Sequence, residues 1–185
     1  MTKDNDPVAS GPGKQSLGLG FRWGHVNINV TDLERSIAFY EKLGFELYLP
    51  DIPYLGLSRD SGPRAITVTS AIALGLERGA SGRGCIMQLT GGGYPKIDLI
   101  ELEFHTDADR RSAPLNNADL GLVRLCLIAP DVAMACAALT AQGVEFLSTP
   151  QHGQNEMVTM ATCKDPDGTL IELLEIHRER WPTQK

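Results

Sequence analysis

The chain states one pattern twice, and that repetition constrains its fold more than any other feature. Residues 24–50 read as a strand, a helix, a glycine, a second strand and a closing proline. In the helical stretch, Thr31 or Asp32 supplies a cap and Glu34 an acidic first turn. Leu33, Ile37, Phe39 or Tyr40, and Leu43 recur at helical spacing before Gly44 ends the run. FELYLP then reads as a strand stopped by Pro50. Residues 122–150 repeat the order: a strand over 122–128, a helix opened by Pro130-Asp131 with Val132, Cys136 and Leu139 on its apolar side, then Gly143, VEFL and Pro150. Two copies of one unit that cannot bury its apolar face alone imply a duplicated module.

Each copy continues with two more strands. The first has CIMQLT (85–90), the turn GGGYP and KIDLIELEF (96–104). The second has EMVTMATCKD (156–165), the turn Asp165-Pro166-Asp167-Gly168 and TLIELLEI (169–176). Pro-Asp-Gly between two apolar alternating runs is a strong turn signal. The expected fold is α+β, βαβββ twice, with curved sheets carrying their helices on one face. The expected boundaries are a disordered tail over 1–20, a first module over 21–105, a linker over 106–120, a second module over 121–177 and a tail over 178–185.

Composition removes several classes of function. Seventeen basic against 23 acidic residues give a net charge of −6, and no Lys/Arg cluster exceeds RRSA at 110–113. That argues against nucleic acid and anionic membranes as partners. No apolar run approaches the roughly 18 residues of a membrane span, and the first 20 residues lack the apolar core of a secretory signal. Cysteines at 85, 126, 136 and 163 form no C-x-x-C. They read as free thiols in a reducing cytoplasm.

GHVNINV, residues 24–30, carries the first sign of a site. Alternation puts Val26, Ile28 and Val30 on one face and His25, Asn27 and Asn29 on the other, a polar face that looks at solvent or into a cavity. HVNINVTDLERSIAFYEKLGFEL together with DPDGTLIELLE resembles the opening and closing motifs of the vicinal oxygen chelate superfamily, which includes glyoxalase I, extradiol dioxygenases, methylmalonyl-CoA epimerase and bleomycin-resistance proteins. The resemblance implies that two modules cup a cavity in a barrel-like mixed sheet with helices outside. It also implies that first and last strands point ligands inward.

Carried over by position, that resemblance assigns His25, Glu101 and Glu172 as metal ligands. Asn27, Asn29 and Cys126 line the wall, and His152 reaches the pocket from a loop. Arg124 stands where the family has a second histidine. A guanidinium stays protonated and has no lone pair for a metal. Two arrangements therefore stay open: a divalent ion (zinc, nickel, manganese or iron) on the remaining trio, or no metal, with Arg124 forked onto a carboxylate.

His25 to Glu101 spans 76 residues and Arg124 to Glu172 spans 48, so the first module holds 28 extra, placed in 51–84. Long ordered insertions tend to be lids or pocket walls, and the apolar segment ITVTSAIALGL, a short helix or strand, suits a wall for a largely apolar ligand. Two classes of function follow. One is a glyoxalase- or epimerase-like lyase or isomerase in which Glu172 or Glu101 removes a proton beside a carbonyl and Arg124 or a metal neutralises the oxyanion. The other is a metal-free protein of the bleomycin-resistance kind that sequesters a small molecule. Iron-dependent ring cleavage ranks third, because Arg124 breaks the two-histidine, one-carboxylate triad. A cytoplasmic homodimer acting on a small molecule is the expected setting.

Overall fold

The computed structural model describes residues 24–93, 95–103, 117–118 and 121–181. The 1–20 tail, most of the 106–120 linker, Phe104 and His105 lie outside the described residues.

The first module runs β1 (His25–Asn29), α1 (Leu33–Lys42) and β2 (Phe45–Leu49). The insertion follows as β3 (Asp51–Ile52), β4 (Leu57–Ser58), β5 (Arg64–Ala65) and α2 (Val68–Leu74), and the module closes with β6 (Ser81–Leu89) and β7 (Lys96–Leu102). Its sheet has the order β1-β7-β6-β2, with β5 paired to β6. The second module contains β8 (Arg124–Ile128), α3 (Val132–Ala141), β9 (Gln151–His152), β10 (Val158–Lys164) and β11 (Leu170–Ile176), with sheet order β8-β11-β10-β9. In both modules the first strand lies parallel to the last.

The caps are those the sequence signals. Asp32 accepts from Arg35 N at 3.0 Å and Asp131 from Met134 N at 2.8 Å, each satisfying a free N–H of a first turn. Gly44 and Gly143 leave the helices at φ +88° and +82°, a region that favours glycine. ITVTSAIALGL forms α2, capped by Thr67 and ended by Gly75.

Two expectations change. VEFL makes only an isolated bridge, Phe146 with Cys163, and the short β9 takes the outer edge of the second sheet instead. The sheets also do not join into one barrel-like surface. Neither β1 nor β8 has a strand on its outer edge among the described residues. A cleft of about 1300 Å³ opens between those edges, α1 and the 165–169 turn.

The modules are joined through the helix side instead. One core contains Ile28, Leu33, Ile37 and Leu99 from the first module with Val132, Leu139, Ile171 and Leu173 from the second. Tyr40, fully buried, donates its hydroxyl to Asp165 Oδ2 at 3.0 Å across the boundary. Burial and the Asp165 carboxylate push the phenol pKa well above its usual range. The 165–168 turn also receives the start of α1, with Thr31 N donating to Asp167 Oδ2 (3.1 Å) and Arg35 pairing with Asp167 Oδ1 (3.0 Å). A separate small core, with Ile52, Leu55, Leu57, Ile66 and Ala71 from the insertion and Ile86 and Ile100 from the sheet, lies on the opposite side. All four cysteines are free, and Cys85, Cys136 and Cys163 are buried. No helix among the described residues is long and apolar enough to cross a membrane.

Candidate functional site

Alternation along β1 and β7 decides which groups can meet. Val26 and Ile28 pack toward the helix side with Ile97 and Leu99. His25, Asn27 and Asn29 therefore project from the other face, and the parallel register sets Asn27 beside Asp98 and Asn29 beside Ile100. Those side chains form the floor of a cavity of about 480 Å³. The insertion supplies its walls through Tyr54, Ile66, Leu74 and Leu76.

Asp98 sits deepest. It is 1% exposed. Its Oδ2 accepts a short hydrogen bond from the Tyr54 hydroxyl and lies 3.7 Å from His25 Nε2, while its Oδ1 is buried with no hydrogen-bond partner. Burial raises its pKa, and the nearby imidazole opposes that shift. The Tyr54 ring stacks on His25, with centroids 5.6 Å apart and planes 21° apart. Asn27 Nδ2 donates to Asn29 Oδ1 at 3.0 Å, which orients both amides along the cavity wall.

The first part of the insertion is fixed at two points. Gly84 lets β3 approach, since a Cβ there would lie 2.7 Å from Ile52 Cδ1 and 2.8 Å from the Leu99 carbonyl oxygen. Arg59 forks onto Glu34 of α1 at 2.9 and 2.7 Å, and that contact lowers the Glu34 pKa.

Glu101 does not share this cavity. It lies on the helix side, where Oε2 accepts from Leu33 N (2.7 Å) at the start of α1 and from Arg83 Nη2 (2.7 Å). Glu175 does the same in the second module, accepting from Val132 N at 3.0 Å. The register therefore equates Glu101 with Glu175 and Asp98 with Glu172, because Asp98 faces Asn27 as Glu172 faces Cys126. The placement of Glu101 beside His25 is corrected by this three-residue offset. The matched intervals become 73 residues (His25 to Asp98) and 48 (Arg124 to Glu172), an excess of 25.

The second module repeats the layout with other chemistry. Arg124 Nε donates to Glu172 Oε2 at 3.0 Å, and its Nη1 donates to Asn117 Oδ1 at 3.1 Å. Cys126 stands beside Glu172 and is exposed; partial burial of the thiol, and then the Glu172 carboxylate, raise its pKa. His152 lies on β9, three strands from β8, and its Nδ1 is 3.2 Å from Thr159 Oγ1, which is 2.9 Å from His177 Nε2. It lines neither cavity described above.

A divalent ion does not fit the groups present. His25 faces Asp98, Glu101 is spent on a helix start across the sheet, and Glu172 is neutralised by Arg124. Among the described residues no three His, Cys, Asp or Glu side chains converge as a metal set. Sequence reading missed Asp98 and Tyr54. K-I-D-L-I-E-L held the signal for Asp98, since it aligns with T-L-I-E-L-L-E-I when D matches the first glutamate.

Fold and site together describe a two-module cup protein. The model described as the glyoxalase/bleomycin resistance protein/dioxygenase superfamily matches residues 24–162, and the chain belongs to that superfamily. It is 25% identical over 163 residues to the lactoylglutathione lyase of Schizosaccharomyces pombe, which covers 84% of this chain and 45% of that enzyme. The chain thus spans less than half the length of this curated relative. A glyoxalase family protein from Bacillus cereus superimposes with a TM-score of 0.63 at 23% identity, over 90% of this chain and 99% of that one. A glyoxalase I mutant from Zea mays gives 0.50 at 18% identity, over 83% and 44%. These structural likenesses show the fold.

Proposed function

We propose that the protein is a glyoxalase-like enzyme that removes a proton beside a carbonyl of a small, largely apolar molecule, with Asp98 as the base. One observation carries this reading: a buried carboxylate with a raised pKa, set against an imidazole at the back of an apolar cavity. A carboxylate whose pKa is moved toward neutrality is a stronger base than an exposed one. In this scheme Asp98 takes the α-proton, and the electron pair passes into the carbonyl, whose oxygen gains negative charge. Asn29 Nδ2, whose amide is oriented by Asn27, donates to that oxygen. His25, under the Tyr54 ring, holds the Asp98 carboxyl in place and favours its ionised form. The lactoylglutathione lyase relative supports a carbonyl chemistry of this class.

The test is exchange of α-protons for deuterium, followed by proton NMR in D2O over a panel of small, uncharged α-hydroxy ketones and α-hydroxy thioesters. Exchange catalysed by the wild type and reduced at least about 100-fold in Asp98→Asn supports the reading. Saturable binding without exchange for any compound makes the protein a sequestering one instead.

A further inference from the structure

We infer that this cavity recognises an uncharged molecule with an apolar body through one hydroxyl that donates to Asp98 Oδ1, and that it rejects carboxylate-bearing conjugates. The inference deepens the reading of the same site and rests on it for the identity of the pocket. Asp98 offers two acceptor atoms at the back of the cavity, and the protein uses only one. Tyr54 fills Oδ2, and Oδ1 is buried without a donor, so a ligand hydroxyl meets it once the carboxylate turns toward the cavity. A buried acceptor left unsatisfied is costly, so a ligand that brings a donor gains what the apo protein lacks.

The surroundings set the rest of the ligand. Ile66, Leu74, Leu76, Ile100 and Leu102 line the cavity, and no lining residue is lysine or arginine. Lys96, on the same strand face as Asp98, is directed to Gln88 Oε1 at 2.7 Å and over the Tyr48 ring at 4.0 Å. Arg124 is committed to Glu172 and Asn117. A carboxylate placed in this cavity would face Asp98 with only the His25 imidazole, already set against Asp98, to offset it. An ether of the same shape would bring no donor to Oδ1.

Three matched probes test this by calorimetry on the full chain at pH 8: 4-methylcyclohexanol, its methyl ether and 4-methylcyclohexanecarboxylate. The alcohol should bind at least ~10-fold more tightly than the ether, and the carboxylate should not bind measurably. In Asp98→Asn the amide N–H2 replaces Oδ1 as a donor, so the alcohol-to-ether ratio should fall to near one. Equal binding of alcohol and ether by the wild type, or binding of the carboxylate as tight as the alcohol, overturns the inference, and the wild-type comparison stands even if the variant does not fold. Because these titrations need no turnover, a failure here with Asp98-dependent deuterium exchange intact removes the recognition claim alone. Loss of both removes the assigned site.

Discussion

The two modules share a scaffold and differ in what they place on it. At the helix-side positions they agree: Glu101 and Glu175 each accept from the first backbone N–H of the helix that follows the opening strand. At the cup-side positions they diverge, His25 with Asp98 in one and Arg124 with Glu172 in the other. The first pair holds a buried carboxylate with an unsatisfied oxygen beside the insertion; the second is a partly buried ion pair, joined oxygen to guanidinium, beside Cys126 and an Ile128 that is 65% exposed. Groups that hold the fold are repeated, whereas groups free to do chemistry are not. The insertion decides which module becomes a pocket.

Removing that roof should have the largest effect. Replacing 67–76 with a short Gly/Ser turn takes away the Leu74 and Leu76 walls, two half-covered side chains that together offer a ligand about the burial of one, ~1.5–3 kcal/mol, and should weaken binding of the 4-methylcyclohexanol probe by about 10- to 100-fold. Gel filtration should show the same assembly size. Normal binding with a smaller assembly would make the insertion an interface between copies and return the two modules to equal footing.

Asp98→Leu separates stability from activity. Burial holds the folded Asp98 pKa above its unfolded value, so the stabilisation it offers is complete below the ordinary value of 3.8 and is lost as pH rises through the folded pKa. The leucine variant should therefore melt a few degrees above wild type at pH 7 and lose that advantage as pH falls toward 4, while exchange activity drops at least ~100-fold. Thermal melts across pH 4–8 read the first effect and NMR exchange the second.

The repeated caps should behave alike. Glu101→Ala and Glu175→Ala should each cost about 1 kcal/mol by urea unfolding, with Glu101→Ala the larger because Arg83 loses its partner. Neither should change probe affinity by more than about twofold. A Glu101→Ala variant that folds normally but no longer binds would restore it to the site. The smallest effect belongs to Arg124→Ala, which removes the more exposed half of a partly buried pair and should shift stability by about 1 kcal/mol or less and leave deuterium exchange unchanged. Loss of exchange in this variant would show that the second module's pair works with Asp98.

Much of the scaffold was legible from local signals. Asp32, Asp131, Gly44 and Gly143 mark helix ends by backbone chemistry that does not depend on the rest of the chain. The polar face of β1 follows from alternation alone. The parity of β7 was less accessible. D-L-I-E-L-E offers carboxylates of both parities, and the apolar residues between them pack equally well in a helix-side core or in a cavity. The family resemblance, carried on I-E-L, then selected Glu101, which has the helix-side parity. Only the register against β1 resolves it. Tyr54 was beyond reach for another reason: its contact with Asp98 depends on a loop whose path is set by Gly84 against Ile52 and by Glu34 against Arg59, and Gly84 and Glu34 are both distant from it in sequence.

The insertion's separate small core bears on how such a protein can change over generations. Ile52, Leu55, Leu57, Ile66 and Ala71 settle on Ile86 and Ile100 without entering the core that unites the modules. Mutations there can redraw the pocket wall with little disturbance of the duplicated sheet, because the two packing units share no buried side chain. A lineage built this way can try new ligands through one replaceable part, with its inherited frame shielded from the trials.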